Sequence, residues 1–271
     1  MTEVAYIDRP SRALYFYAIL YLGFLYIPVL FLPMFSFNDN IYIAFPLKGF
    51  TTKWYVEMFN NQPMWAALNN SLNVACVSAA IATLLGLLGA KAVTRYRIPG
   101  EKPIIFVIML PMVVPYIIMG VALLILITRL GIDLSLYTVT MAHVLISVPF
   151  AMATLIARFE GFDQALEEAS VDLGASPLST FWRVTLPLVF PGVLASFLLC
   201  FTISFDEFIM AYFLAGTDPT LPIFIWSQLR FPTRLPGVLA LGSLILVVSF
   251  VVVFISQWLR RYRVEKTQPG I

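Results

Sequence analysis

Six long apolar stretches set the terms on which this chain can fold: residues 14–35, 67–93, 103–128, 137–157, 188–215 and 237–259. A helix needs about 20 apolar residues to cross the hydrocarbon core of a bilayer. Each stretch meets that length, and only short connectors lie between most of them. The chain is 60% hydrophobic and 12% charged, with a mean hydropathy of +0.88. A water-soluble domain has no interior large enough to hide that much apolar surface. Stretches of that length read as membrane-spanning helices. The expectation is an all-α integral membrane fold of six transmembrane helices, surrounded by lipid and forming one domain over residues 1–271.

Lysine and arginine then orient the spans, because positive residues stay on the cytoplasmic side. With both termini cytoplasmic, the inner segments hold Arg9, Arg12, Lys91, Arg95, Arg97, Lys102, Arg158, Arg183, Arg260, Arg261, Arg263 and Lys266. The outer segments hold only Lys48, Lys53, Arg129, Arg230 and Arg234. These cations mark topology, and the formal charge of +2 gives no reason to expect a nucleic-acid partner. The first stretch is too long for a signal peptide and is flanked by Arg9 and Arg12, so it reads as a retained anchor. Residues 1–13 read as a short cytoplasmic tail, and the chain beyond Arg261 as a solvated one.

The longest polar segment after the N-terminal third covers residues 158–192, between the fourth and fifth spans. Asp163 can cap a short helix over 164–173, and Gly174 can end it in the left-handed conformation. Ser176-Pro177 reads as an N-cap followed by a proline at the first helical position, opening a second helix towards Leu186. The first helix carries Leu166, Ala169 and Leu173 on one face. This two-helix elbow is built to touch a partner.

The elbow resembles the EAA loop of ABC-importer permease subunits, the binding-protein-dependent type I class. Glu168, Ala169 and Ser170 are followed at the family's intervals by Gly174, Val184 and Leu186-Pro187, with Ser170 in place of the second alanine. Phe50 to Tyr55 and Asn70-Ser71-Leu72 look like the start of the family's core, so the resemblance covers about residues 50–261, with the coupling loop at 158–187. Ser204-Phe205-Asp206-Glu207 after the elbow is closest to the polyamine branch, the spermidine/putrescine permeases. The resemblance implies two cytoplasmic ABC ATPase subunits, each gripping one elbow and binding ATP and magnesium. It further implies a second, related permease chain, an external substrate-binding protein, and residence in a bacterial inner membrane. In that setting Glu168 would meet basic residues, Arg above all, on the ATPase.

The remaining features carry paired readings. Residues 36–64 hold a short helix over 52–59, capped by Thr51. Its apolar face of Trp54, Tyr55, Met58 and Phe59 reads as interfacial, or as a ledge for the binding protein. Residues 216–236 form a second outer segment with the same two readings. Gly86, Gly89 and Ala90 allow close helix approach. Pro111 and Pro115 either kink the third span or break it, as in transporter pathways. His143 could sense pH, or sit buried, neutral and hydrogen-bonded. Asp206 and Glu207 are costly in an apolar helix. They read as a cation-attracting point on the substrate pathway, or as partners of polar groups on neighbouring helices. Cys76 and Cys200 read as packing residues.

Several classes are disfavoured by the same residues. There is no Gly-rich phosphate loop ending in Lys-Ser or Lys-Thr, so the chain has no P-loop ATPase site and needs no cofactor of its own. One histidine and scattered carboxylates give no metal site and no catalytic constellation, which argues against an enzyme. An ion-coupled secondary carrier could use Asp206 and Glu207 but would not need the spaced elbow. A structural scaffold subunit would use the elbow for assembly alone. Within the importer reading the substrate is a small organic cation, a polyamine first, then another amine, an opine or an amino-acid-like solute, with a sugar or an anion ranked last. Charge and cation–π attraction favour such a cargo.

Overall fold

The computed structural model describes residues 12–267. The expected N-terminal tail, save Arg12 and Ala13, and the last four residues of the C-terminal one lie outside the described residues. Cα packing groups the chain into two compact units, one centred on residues 63–226 and one made from the segments on either side of it.

In the central unit the helices are α3 (Gln62–Arg95), α4 (Glu101–Met109), α5 (Tyr116–Arg129), α6 (Leu136–Glu160), α7 (Ala165–Asp172), α8 (Pro177–Thr180), α9 (Leu186–Asp206), α10 (Ile209–Leu214) and most of α11 (Leu221–Leu229). The buried face of α3 carries Ala75, Ala79, Ala82, Gly86 and Ala90 at helical spacing. Small residues there bring α6 very close, for a Cβ on Gly86 would lie 2.6 Å from Cβ of Ala151 and 2.9 Å from its backbone. The expected close approach is therefore present, and it faces α6. Beside it Ala79 and Ala82 of α3 cluster with Ala151 of α6 and Cys200 of α9, and α6 and α9 pack along each other. A second core gathers Val74, Ile127, Val139, Ile146, Met210 and Leu214, seating α10 against α5 and α6.

The third span is broken, not merely kinked. The stretch Glu101–Met112 and α5 meet at 100°. Pro111 and Pro115 remove two amide donors, and Pro115 drives the residue before it out of helical geometry. Neither half, at 1.5 Å per residue, covers the hydrocarbon core of about 30 Å. Among the described residues five helices are long and apolar enough to cross a membrane, and the bent pair makes a sixth crossing if counted as one span.

The fifth span departs from expectation at both ends. It starts earlier, because helix runs unbroken from Pro177 to Asp206. A π-turn, Phe181–Thr185, joins α8 to α9. The turn lies where Pro187 denies an N–H to the carbonyl of Arg183, and a wider turn absorbs that loss. The span also ends earlier, at Asp206, with Glu207 in an extended conformation before α10.

The flanking unit contains α1 (Arg12–Ser36), α2 (Lys53–Phe59) and α12 (Leu235–Thr267). Helix α12 continues past residue 259, the expected end of the sixth span. Helices α1 and α12 pack along each other, and α2 packs on α12. The short helix is less interfacial than its composition suggests. Trp54 and Met58 are buried, the Trp54 indole N–H donates to the Asn38 carbonyl at 2.8 Å, and the Tyr55 hydroxyl lies 2.7 Å from Ser36 Oγ. The extended part folds back on itself, with the Thr51 N–H donating to the Phe37 carbonyl at 2.8 Å and an ion pair between Lys53 and Asp39.

Candidate functional site

Local chemistry builds the elbow as its sequence suggests. Asp163 Oδ1 accepts the Ala165 N–H at 2.9 Å. At the other end Gly174 has φ +86°. Its N–H donates to the Val171 carbonyl at 2.8 Å, and the Ala175 N–H to the Ser170 carbonyl at 3.1 Å. This is the glycine-terminated pattern that satisfies the last carbonyls of a helix. Ser176 caps α8 by accepting the Ser179 N–H at 3.3 Å, with Pro177 in the first turn.

The motif residues divide between an outer and an inner surface. Glu168 and Ala169 are exposed, as are Gly174 and Pro187, whereas Ser170, Val184 and Leu186 are half-buried. The Glu168 carboxylate accepts a 3.1 Å hydrogen bond from Gln164, one turn back. Ser170 Oγ lies 2.9 Å from Thr180 Oγ1 and ties the two elbow helices together. The apolar residues of the first helix do not pack inward. Leu166 and Leu173 are exposed, Leu173 to 89%, and so are Leu178 and Trp182 in the second half of the elbow.

Glu167, which the spacing does not single out, makes the inward contacts. Its Oε2 accepts from Arg95 Nε at 2.5 Å, and its Oε1 accepts the Thr185 hydroxyl. Arg95 also donates to the Phe159 carbonyl at 3.1 Å, and its guanidinium lies 4.6 Å from the Phe162 ring centre. Arg158 likewise faces inward, donating to the Leu188 carbonyl at 2.6 Å across Gly192. A cavity of about 290 Å³ opens between the end of α3 and the elbow, lined by Lys91, Arg95, Tyr96, Glu167, Glu168 and Asp172 among others.

Asp206 and Glu207 take opposite environments. Glu207 is buried and caps α10, accepting from the N–H groups of Ile209 at 3.0 Å, Met210 at 2.8 Å and Ala211 at 3.2 Å. A carboxylate at this position answers the unpaired donors and positive end of a helix. His143 is buried, with Nε2 3.4 Å from Glu207 Oε2 and Nδ1 2.7 Å from Ser204 Oγ. Ser78 donates to Ser204 at 2.8 Å, so one polar chain joins α3, α6, α9 and α10. Of its two readings, His143 takes the buried and hydrogen-bonded one. Asp206 is exposed at the C-terminal end of α9. Near it in sequence, the rings of Phe208, Tyr212 and Trp226 cluster with centres 5.3–5.7 Å apart.

Asn70 and Ser71 hold the loop before α11. Asn70 donates to the Pro219 carbonyl at 3.1 Å, and Ser71 Oγ accepts the Leu221 N–H at 2.8 Å. Among the described residues no three of His, Cys, Asp and Glu gather as a metal site. Cys76 is exposed and Cys200 buried, both as free thiols.

The broken helices and the elbow define a multi-pass membrane protein of the permease class. The chain belongs to the family of binding-protein-dependent transport system inner membrane components, whose pattern matches residues 82–264. It is therefore the permease subunit of an ABC importer, in the inner membrane. The spermidine/putrescine transport system permease protein of Escherichia coli K12 is 37% identical over 240 residues, covering 88% of this chain and 90% of that one. The putrescine transport system permease protein of the same organism is 35% identical over 258 residues, covering 92% and 91%. A crystal structure of a bacterial ABC transporter importing the acidic polysaccharide alginate has a chain with TM-score 0.68 and 16% identity, covering 91% of this chain and 97% of that one. Its complex with an alginate-pentasaccharide-bound periplasmic protein gives TM-score 0.70 and 18% identity, covering 96% and 95%. At that identity the likeness concerns fold alone.

Proposed function

We propose that this chain forms half of the pathway of an ATP-driven importer for a small organic amine, a polyamine in particular. A second permease chain supplies the other half, an external binding protein delivers the solute, and two cytoplasmic ATPase subunits bind ATP and magnesium. Both termini lie in the cytoplasm, so the elbow faces the ATPases. The exposed side of α7, with Glu168, Ala169 and the C-cap residue Leu173, seats in a groove on an ATPase subunit, and a basic side chain there pairs with Glu168. Gly174, Val184, Leu186 and Pro187 shape the second half of that contact.

The observation that carries the amine reading is the exposed carboxylate of Asp206 at the end of α9. The carbonyl end of a helix is already negative, so a carboxylate there is unfavourable until a cation joins it. The aromatic cluster of Phe208, Tyr212 and Trp226 suits an ammonium group or its alkyl chain. The 37% and 35% identical permeases, both named for polyamines, support the same reading. Glu207 serves the site indirectly, by holding the helix break.

Two substitutions test the proposal in membrane vesicles containing the whole transporter. Asp206→Asn lowers uptake of labelled spermidine or putrescine, with the ATPases still bound. Glu168→Ala weakens ATPase association. Full uptake by Asp206→Asn would remove the cation role, and intact association with Glu168→Ala would remove the docking role. Uptake of another amine, an opine or an amino-acid-like solute in place of a polyamine would keep the permease and change its cargo.

A further inference from the structure

Four helical elements come together at one largely buried ion pair behind the elbow. Arg95 closes α3, and Glu167 lies in the first turn of α7. Their side chains are only 11% and 13% exposed. The Glu167 carboxylate uses one oxygen for Arg95 and the other for Thr185, at the end of the π-turn leading into α9. The guanidinium uses a further N–H for the Phe159 carbonyl at the end of α6 and stacks near Phe162. Both charges are thus hydrogen-bonded on several sides, which is the condition under which a buried pair holds firmly.

The neighbouring carboxylate has none of this. Glu168 is exposed and touches Gln164 within its own helix. Adjacent residues on a helix point about 100° apart. The two glutamates therefore divide α7 into a face open to a partner and a face fixed to the ends of α3, α6 and α9. Helix α7 cannot tilt alone while the pair is intact. It must carry those ends along or break a largely buried charge pair, which is unfavourable.

We infer that Arg95 and Glu167 are positioning residues that make the elbow and the ends of α3 and α9 move as one body, transmitting ATPase motion to the pathway. The inference rests on the proposed ATPase docking and adds the residues that carry its consequence inward. Neither residue needs to touch ATPase or solute.

The test uses the complete transporter in lipid vesicles, with native, Glu167→Gln, Arg95→Gln and the exchanged pair Arg95→Glu with Glu167→Arg. Three quantities are read: ATPase retained on purification, ATP hydrolysed, and labelled polyamine moved per ATP. The single variants keep the ATPase, because the outer face is unchanged. Their polyamine per ATP falls by about 2- to 30-fold, the range that single coupling residues span. The exchanged pair re-forms the charge contact between α3 and α7 but not the bond to the Phe159 carbonyl, so its ratio rises above both single variants without reaching the native one. A ratio within two-fold of native in both single variants would overturn the inference, as would an exchanged pair that assembles yet stays uncoupled. Failure of the exchanged pair to assemble would also count against it, marking the contact as one for folding. A native complex that neither retains ATPase nor depends on ATP would instead sink the docking proposal.

Discussion

The imidazole Nε2 of His143 lies 3.4 Å from the Glu207 carboxylate, and both side chains are almost wholly buried. Geometry makes this an approach and not a directed hydrogen bond, since Nε2 has no hydrogen-bond acceptor. The imidazole is held from its other side by Ser204. Glu207 is held mainly by the start of α10.

Glu207→Ala should therefore be a stability variant. It orphans backbone donors in a buried turn, and each unsatisfied group costs about 1–3 kcal/mol. A fall in the Tm of the detergent-solubilised chain is expected, with Glu207→Gln intermediate because one oxygen remains to accept. Asp206→Asn should not lower Tm. Removing a negative charge from a helix C-terminus is worth about 0.3–1 kcal/mol in favour of folding. Equal effects at the two positions would contradict the division between cap and exposed carboxylate.

Gly86→Ala should destabilise the packing of α3 on α6. The added methyl meets Ala151 Cβ at 2.6 Å and backbone at 2.9 Å, and overpacking of this kind costs about 1–3 kcal/mol. Ala151→Gly in the same chain should relieve only part of it, because the backbone contact remains. Gly89→Ala should be milder, since its nearest neighbour is the flexible Met152 side chain, with Sδ at 3.2 Å. Thermal unfolding of the four proteins separates these cases.

Gly174→Ala should weaken the elbow through backbone conformation alone. No atom lies within 4 Å of the added Cβ, but φ is +86°. The left-handed region costs an L-residue about 1–2 kcal/mol. Gly174→Asn should cost less, since asparagine tolerates this conformation. Limited proteolysis of the elbow is the measurement, with alanine cut fastest. If asparagine and alanine behave alike, the conformational explanation fails.

Much of this was legible in the residues themselves. Span positions follow from apolar length, and the elbow follows from caps a few residues away: Asp163, Gly174, Ser176 and Pro177. Local signals of that kind survive because their partners lie within one turn. The failures are non-local, or involve one local rule overriding another. The second elbow helix and the fifth span read as separate in the sequence, yet a π-turn lets one helix run through Pro187. No proline or glycine marks the break after Asp206, where a carboxylate turned back to cap the next helix. Glu167 meets Arg95 from 72 positions away, and no spacing rule joins them. Arg158 counts as an elbow cation in the sequence, but Gly192 leaves a slot in which it reaches the Leu188 carbonyl. Leu166 and Leu173 formed an apolar face in the sequence, and its exposure could be read only once the fold was known.

The most direct test of the account is ATP hydrolysis by the complete transporter in lipid, with and without its binding protein loaded with spermidine or putrescine. The account predicts stimulation by the loaded binding protein, loss of that stimulation with Asp206→Asn, and weakened ATPase association with Glu168→Ala. Stable ATPase association with no response to any polyamine would contradict the amine pathway, and no ATPase association at all would contradict the docking role of the elbow.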